Sequence, residues 1–422
     1  MLYNLATLAI MKFSSFELAP RLQKNLISLD YVKATPIQEK AIPFILAKKD
    51  VMARAKTGTG KTAAFALPLL DSLIKEPNRA NNLSMLVLAP TRELVQQISN
   101  SFTQYAHDTN IKVVAAFGGV SIKPQVNQIA QGVDILIATP GRLLDLISNQ
   151  QLSLASISVL VFDEADRMLD LGFKAEIDQV MQQIPTLRQT LLFSATFDDS
   201  IYKLSKTLLN NPTVITIDDN NEVADSVEQL VYTVDADRKR ELLSYLIGSK
   251  NWQQVLIFTR TKQTADELAK EMCKDGIKAQ SMHGDKSQGA RDKALLEFKQ
   301  GKTRALVATD VAARGIDIVD LQYVVNYELP YVAEDYVHRI GRTGRADKNG
   351  LALSLVSPSE EWLLTAIEKV IGERLLQQWL PGYEPDLTKT ETKKKPENKK
   401  KARNRALNGS KANNKAGGRR RR

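Results

Sequence analysis

Asp163-Glu164-Ala165-Asp166 puts three carboxylates into four positions. They follow directly on Val159-Leu160-Val161-Phe162, an apolar run rich in strand-forming residues. An acidic cluster at a strand end is most simply a solvated loop. The alternative is an acid that holds a metal beside an acid that handles a proton. A second stretch bears on that choice. Thr57-Gly58-Thr59-Gly60-Lys61-Thr62 follows a candidate strand at 50–55 and opens a helix-like run. Glycines there let backbone N–H groups curl around a phosphate, and a helix N-terminus adds positive potential. Lys61 has the reach for β- and γ-phosphates, and the Thr62 hydroxyl suits Mg²⁺. Position 55 is Ala where the strict phosphate-loop pattern has Gly. A chain that hydrolyses ATP on such a loop needs a Mg²⁺-holding acid at the end of another parallel strand. Asp163 fills that place, with Thr62 as its partner on the metal. Glu164 is then set to orient or deprotonate the attacking water. Asp166 is surplus to metal chemistry and is expected to link to other loops.

The elements that would position these residues alternate along the chain. Candidate strands lie at 50–55, 85–90, 133–139, 159–163, 190–196 and 213–218, with amphipathic stretches such as "TRELVQQISNSFTQYA" between them. A polar interlude, "DDNNEVADS", follows, and the pattern restarts at 229–234, 254–259, 305–310, 323–328 and 351–357. Such alternation implies βαβ crossovers and parallel sheets. The expected organisation is α/β: an N-terminal extension over 1–12, a domain over 13–217, a linker at 218–226, a second domain over 227–385 and a tail over 386–422. Apolar residues make up 43% of the 422, enough for filled cores. Cys273 is the single cysteine, so an intrachain disulfide and thiolate-rich zinc sites are excluded. No apolar run approaches the ~18–20 residues of a membrane span. The apolar start "MLYNLATLAIMKF" lacks a basic flank and a clear cleavage site, and reads as a loose extension; Met11 is an equal candidate for the natural start.

Charge is uneven. Residues 387–422 hold nine Lys and six Arg against Glu391 and Glu397, a net +13, so the preceding 386 residues sum to −3 within a total of +10. A stretch like "KKKPENKKKARNRALNGSKANNKAGGRRRR" has almost no large apolar residues and is expected to be disordered. Its cations would attract polyanions by counterion release without reading sequence.

Asp-Glu-Ala-Asp in this setting resembles the DEAD-box RNA helicases of superfamily 2, and about residues 13–380 carry the resemblance. It implies two tandem RecA-like domains, ATP and Mg²⁺ as cofactors, and RNA as partner. Phe13, Tyr31 and "ATPIQ" resemble the adenine-recognition segment, which implies that Tyr31 stacks on adenine and Gln38 bonds its edge. Asp30 stands where the family usually has Gly, and Ala34 where it usually has Pro. "PTRELVQQ", Gly118-Gly119 and "TPGR" resemble the RNA-facing segments of the first domain, implying contacts from Pro90, Arg92, Gly119, Thr139, Gly141 and Arg142. Ser194-Ala195-Thr196 resembles the segment that couples hydrolysis to strand separation. The hydroxyls of Ser194 and Thr196 are expected to bond Asp166.

In the second domain "LIFTRT", "HGD", "QGAR" and "ATDVAARGID" resemble family segments. They imply that Arg260, Gly284, Arg291 and Thr309 face RNA while Gly315 and Asp317 approach the nucleotide. In "HRIGRTGR", which includes His338, Arg342 and Arg345 lie three apart; on a helix they would share a face. The resemblance makes them arginine fingers. The implied mechanism is local, non-processive opening of short duplexes by a closed two-domain clamp. "IEKVIGERLLQQWLPGYEPD" and the tail resemble the bacterial RhlE group, implying cytoplasmic work on ribosomal assembly intermediates or with RNA-decay proteins. Two other readings stay open: a DNA translocase on the same core, and an RNA clamp without turnover.

Overall fold

In a computed structural model of the chain, the described residues are 11–55, 58–76, 82–217, 227–313, 321–343 and 350–386. The first sheet contains β1 (Val51–Arg54), β2 (Met85–Leu88), β3 (Val113–Ala116), β4 (Ile135–Ala138), β5 (Val159–Phe162), β6 (Gln189–Ser194) and β7 (Thr213–Thr216). Its order is β3-β4-β2-β5-β6-β1-β7, and every pairing is parallel. The second contains β8 (Val227–Thr233), β9 (Val255–Thr259), β10 (Ala279–Met282), β11 (Ala305–Thr309), β12 (Tyr323–Asn326), β13 (Gly350–Val356) and β14 (Gln377–Gln378). Its order is β10-β11-β9-β12-β13-β8-β14, also all parallel. Counted from each sheet's own first strand, the two orders are the same. The chain is thus two tandem RecA-like domains.

Each sheet is buried on both faces because successive strand residues point to opposite sides. On β5, Val159 and Val161 join one apolar cluster while Leu160 and Phe162 join the other. On β9, Val255 and Ile257 are split from Leu256 and Phe258 in the same way. The helix Lys61–Lys75 covers the first of these faces, with the Phe65 ring centred 5.2 Å from that of Phe193. Burial of each such aromatic contributes roughly 1.5–3 kcal/mol.

Threonine and serine start several helices. Thr91 accepts from Leu94 N at 3.3 Å, Thr261 from Thr264 N at 3.0 Å and Ser287 from Ala290 N at 3.3 Å. Each satisfies an N–H that has no partner within its helix, worth about 1 kcal/mol.

Three strands have no counterpart in the sequence reading: β3, β10 and β14, all at sheet edges. An edge strand need not be apolar on both faces. In β3 half-buried and buried residues alternate, β10 is mostly half-buried, and both residues of β14 are exposed. The N-terminal reading also needs correction. Residues 11 and 12 are not loose: Lys12 bridges Lys33, and Ala34 N donates to Met11 O at 2.9 Å. A proline at position 34 would lack that N–H. Asp30 has φ 57°, left-handed backbone that Asp tolerates better than most residues. The expected linker 218–226, residues 1–10 and the tail from 387 lie outside the described residues.

Candidate active site

Chain leaving β1 turns through Gly58 (φ 84°) and Gly60 (φ 92°) before the helix begins at Lys61. Gly60 is required sterically as well as conformationally, since a Cβ there would lie 2.3 Å from Gln38 Nε2. Gln38 is bolted to this turn. Its Nε2 donates to Gly60 O at 3.1 Å, and its Oε1 accepts from Thr35 N at 2.8 Å within a capping box. Tyr31 is half-buried nearby. Its hydroxyl bonds that of Tyr105 at 2.8 Å, and its ring meets those of Phe13 and Tyr105 edge-on. Lys61 is buried and donates from Nζ to Ala55 O at 2.9 Å. Thr62, at the first turn of the helix, is half-buried. Thr57 lies outside the described residues.

Two strands away, β5 delivers Asp163, whose N donates to Leu88 O at 2.9 Å and whose carboxylate is 2% exposed. Burial pushes this carboxyl up to about 6. Lys61 pulls against that shift, while Glu164 and Asp166 add to it. Glu164 has left-handed backbone (φ 54°), and its N donates to Asp163 Oδ1 at 3.0 Å. Burial pushes Glu164 the same way, but Arg167, Lys61, Arg342 and His338 outweigh it and hold its carboxyl below the usual glutamate range. Two of those groups, Arg342 and His338, belong to the second domain. The site therefore draws charge from both.

Asp166 does link to another loop. Its Oδ2 accepts from Ala195 N and Thr196 N, both at 3.1 Å, and from the Thr196 hydroxyl at 3.2 Å. The expectation for Ser194 was wrong. It ends β6 fully buried, and its hydroxyl has no hydrogen-bond partner among the described residues. β6 ends at Ser194 inside the core, whereas Thr196 lies past the strand end, where its hydroxyl reaches Asp166.

The residues expected at RNA divide into two groups. Pro90, Arg92, Gly119, Thr139 and Gly141 gather at the C-terminal ends of β2, β3 and β4. Gly119 (φ 77°) carries the Arg92 guanidinium against it, since a Cβ there would fall 1.9 Å from Arg92 Nη1. In the second domain Gly284 is exposed beside Lys262, and Thr309 ends β11. Arg260 lies over the Tyr331 ring at 4.9 Å and pairs with Glu328 at 3.3 Å and Glu360 at 2.8 Å. Arg142 and Arg291 form the other group, buried with their guanidinium groups on protein partners. Arg142 donates to Gln125 Oε1 and Val120 O, both at 2.9 Å. Arg291 pairs with Glu93 of the first domain at 2.5 Å, joined by Gln288 Nε2 at 3.4 Å.

Arg342 also departs from expectation. The helix Ala333–Ile340 carries His338 but ends before Arg342. Thr343 N turns back to Ile340 O, and Thr343 bridges to Leu321, which pulls the chain out of the helix. Arg342 therefore lies past the end of that helix. Arg345, Gly315 and Asp317 lie outside the described residues. Two bridging residues were missed by the sequence reading: Glu93, inside "PTREL", and Arg167. Arg167 stands three residues after Glu164 and pairs with it at 3.5 Å. That spacing on a helix was a usable signal.

Among the described residues no three His, Cys, Asp or Glu side chains form a metal cage, and no helix is long and apolar enough to cross a membrane. The donors present at the turn, the Thr62 hydroxyl and the Asp163 carboxylate, are hard oxygens of the kind Mg²⁺ takes together with substrate phosphates.

The DEAD/DEAH box helicase family model matches residues 35–204, and the helicase conserved C-terminal domain model matches 238–347. An ATP-dependent RNA helicase named CshA from Listeria monocytogenes is 40% identical over 373 residues, 88% of this chain and 71% of that protein. One named RhlB from Pseudomonas syringae is 41% identical over 371 residues, 86% of this chain and 94% of that protein. The solved structure of S. cerevisiae Dbp5 bound to RNA and ADP BeF3 aligns with a TM-score of 0.76 at 30% identity, covering 89% of this chain and 95% of that one.

Proposed function

This chain belongs to the DEAD-box family of ATP-dependent RNA helicases, and from that premise we propose that its catalytic site is split between the domains and completed on RNA. The observation that carries the reading is a contact chain between the domains: Arg167, paired with Glu164 at 3.5 Å, donates to Val311 O of the second domain at 2.9 Å, and Arg291 of the second domain pairs with Glu93 of the first.

ATP is the substrate. Tyr31 and Gln38 hold its base, and Thr57 through Thr62 cradle its phosphates. Lys61 neutralises the β/γ region. Mg²⁺, held by Thr62 and Asp163, would supply charge neutralisation for the phosphate oxygens. Glu164 orients the attacking water and takes its proton. Arg342 and Arg345 meet the charge that develops on the transferred phosphoryl group, an effect worth roughly 10³–10⁵ in rate in related enzymes. Gly315 and Asp317 approach the same nucleotide from the second domain. Asp166, with Thr196, and His338 carry the change at the phosphate to the domain interface.

RNA lies across Pro90, Arg92, Gly119, Thr139 and Gly141 on one side and Arg260, Gly284 and Thr309 on the other. Such contacts reach backbone and sugar, which carry no base sequence. Because ATP and RNA both favour the closed arrangement, each raises the affinity for the other. The outcome we propose is non-processive opening of short duplexes. The tail tethers RNA near the core. Work on ribosomal assembly intermediates or with RNA-decay proteins, in the cytoplasm, is the setting supported by the RhlE-like C-terminal segment.

The test is steady-state ATPase without nucleic acid, with single-stranded RNA and with the matching DNA, at one salt concentration. Strong stimulation by RNA alone is expected. Equal stimulation by DNA would overturn the RNA assignment, and none at all would overturn turnover in favour of a clamp.

A further inference from the structure

Glu164 needs something to fix its direction. Its left-handed backbone (φ 54°) takes it out of regular structure, and it sits at the entrance of the short helix Ala165–Asp170. The nearest cation on that helix is Arg167, whose side chain is 5% exposed. Arg167 Nη1 lies 3.5 Å from Glu164 Oε2. Arg167 Nη2 donates to Val311 O of the second domain at 2.9 Å, across 144 positions of sequence.

Val311 is part of a stiff unit. It follows Thr309 by two residues on the short helix Asp310–Ala313. Asp310 beside it takes two bonds from Arg339, from Nε at 2.6 Å and Nη2 at 2.8 Å. Arg339 is 1% exposed and also donates to Glu328 O at 2.6 Å and Asn326 Oδ1 at 3.1 Å. The carbonyl that Arg167 reaches is thus held by the same packing that holds Thr309 and His338.

We propose that Arg167 is a positioning residue that couples docking of the second domain to the aim of the Glu164 carboxylate. One arm of the guanidinium forms an ion pair with the carboxylate at 3.5 Å, longer than a hydrogen bond, and the other takes the Val311 carbonyl when the domains are closed. RNA on Thr309 fixes the 309–311 segment and so fixes Arg167. When the domains part, Nη2 loses that acceptor, the guanidinium gains rotamer freedom and the carboxylate loses its brace. The inference rests on the reading of Glu164 as the group that handles the attacking water. A planar fork is needed, because a lysine ammonium offers a point charge without two fixed arms.

The experiment compares wild type with Arg167→Lys, Arg167→Gln and Glu164→Gln in ATPase titrations against ATP and against single-stranded RNA. The expected result for both Arg167 variants is an RNA-saturated kcat lowered by about tenfold to a hundredfold, the range for misaimed catalytic groups. KM for ATP stays within about twofold, which also reports an intact fold, and the half-saturating RNA concentration rises by less than the fall in kcat, by about tenfold at most. Full activity in Arg167→Lys would overturn the proposal by showing that charge suffices. A raised half-saturating RNA concentration with unchanged kcat would overturn it by making Arg167 a simple latch. Glu164→Gln separates the two layers. If it abolishes turnover while Arg167→Gln retains normal kcat, only the coupling fails. If Glu164→Gln still turns over ATP, the reading of Glu164 fails and the inference falls with it.

Discussion

The two domains share a strand order and use it for opposite ends. In the first, β1 leads through a glycine turn into a helix that opens with Lys61. In the second, the counterpart β8 leads to a helix that opens with Lys239. Both lysines are buried. Lys61 Nζ donates to one carbonyl beside the glycine turn. Lys239 Nζ donates to Tyr327 O at 3.1 Å and Leu355 O at 2.7 Å and pairs with Glu360. The same contrast holds two strands away. β5 releases Asp163 and Glu164 toward the site, whereas its counterpart β12 is followed by Glu328, whose carboxylate accepts from Arg260 N at 2.7 Å. In the second domain the acids are neutralised at home, and there is no glycine turn at the matching place. Duplicating the scaffold does not duplicate the site. On the proposed reading, one domain binds nucleotide and the other brings cations to it.

The two buried lysines separate these roles most clearly. Lys61→Ala should lower ATPase by about 10²–10³, as loss of one preorganised donor does, with a small change in urea unfolding. Lys239→Ala should do the reverse. It removes one of the two cations paired with Glu360 and the donor to two carbonyls, and should cost about 1–3 kcal/mol in stability, read by the same urea titration. If Lys239→Ala left stability untouched, the claim that its domain keeps its charges for structure would fail.

A smaller effect sharpens how the domains meet. Glu93→Gln removes the acid that Arg291 grips from across the cleft. Reciprocal coupling between ATP and RNA should fall by about tenfold, within the usual range of site-to-site coupling. ATP affinity without RNA should not move. Equal loss of both would point to damage inside the first domain instead. The smallest effect on chemistry is expected from removing residues 387–422. RNA-saturated kcat should stay within about twofold, while RNA binding weakens and its salt dependence flattens, because the removed cations no longer release counterions. A large fall in kcat would contradict the tether.

Central strands were legible because both faces are buried, which leaves continuous apolar runs such as "VLVF" and "VLIFT". Edge strands were not, since "AQSM" and "QQ" satisfy backbone bonding with little burial. The phosphate-loop turn and the acid at the end of β5 were legible because each needs a residue type at a fixed offset from a strand. Contacts between the domains were not. Nothing in spacing along the chain says that Gln288 meets Glu93, 195 residues away, or that Arg167 meets Val311. The protein partners of Arg142 and Arg291 were hidden for a related reason. An arginine in an RNA-facing segment and one that braces that segment look alike until their partners are seen. Arg342 misled through its helical surroundings, because the break after Ile340 depends on Thr343 pairing with Leu321, 22 residues back.

The measurement that bears most directly on the account is RNA-stimulated ATPase of Arg342→Ala. The first domain would keep every group it contributes and lose one cation brought from the second. A site divided between the domains predicts a fall of about 10³-fold or more in the RNA-saturated rate, with RNA and ATP still binding. Retention of full RNA-dependent turnover would contradict a site divided between the domains.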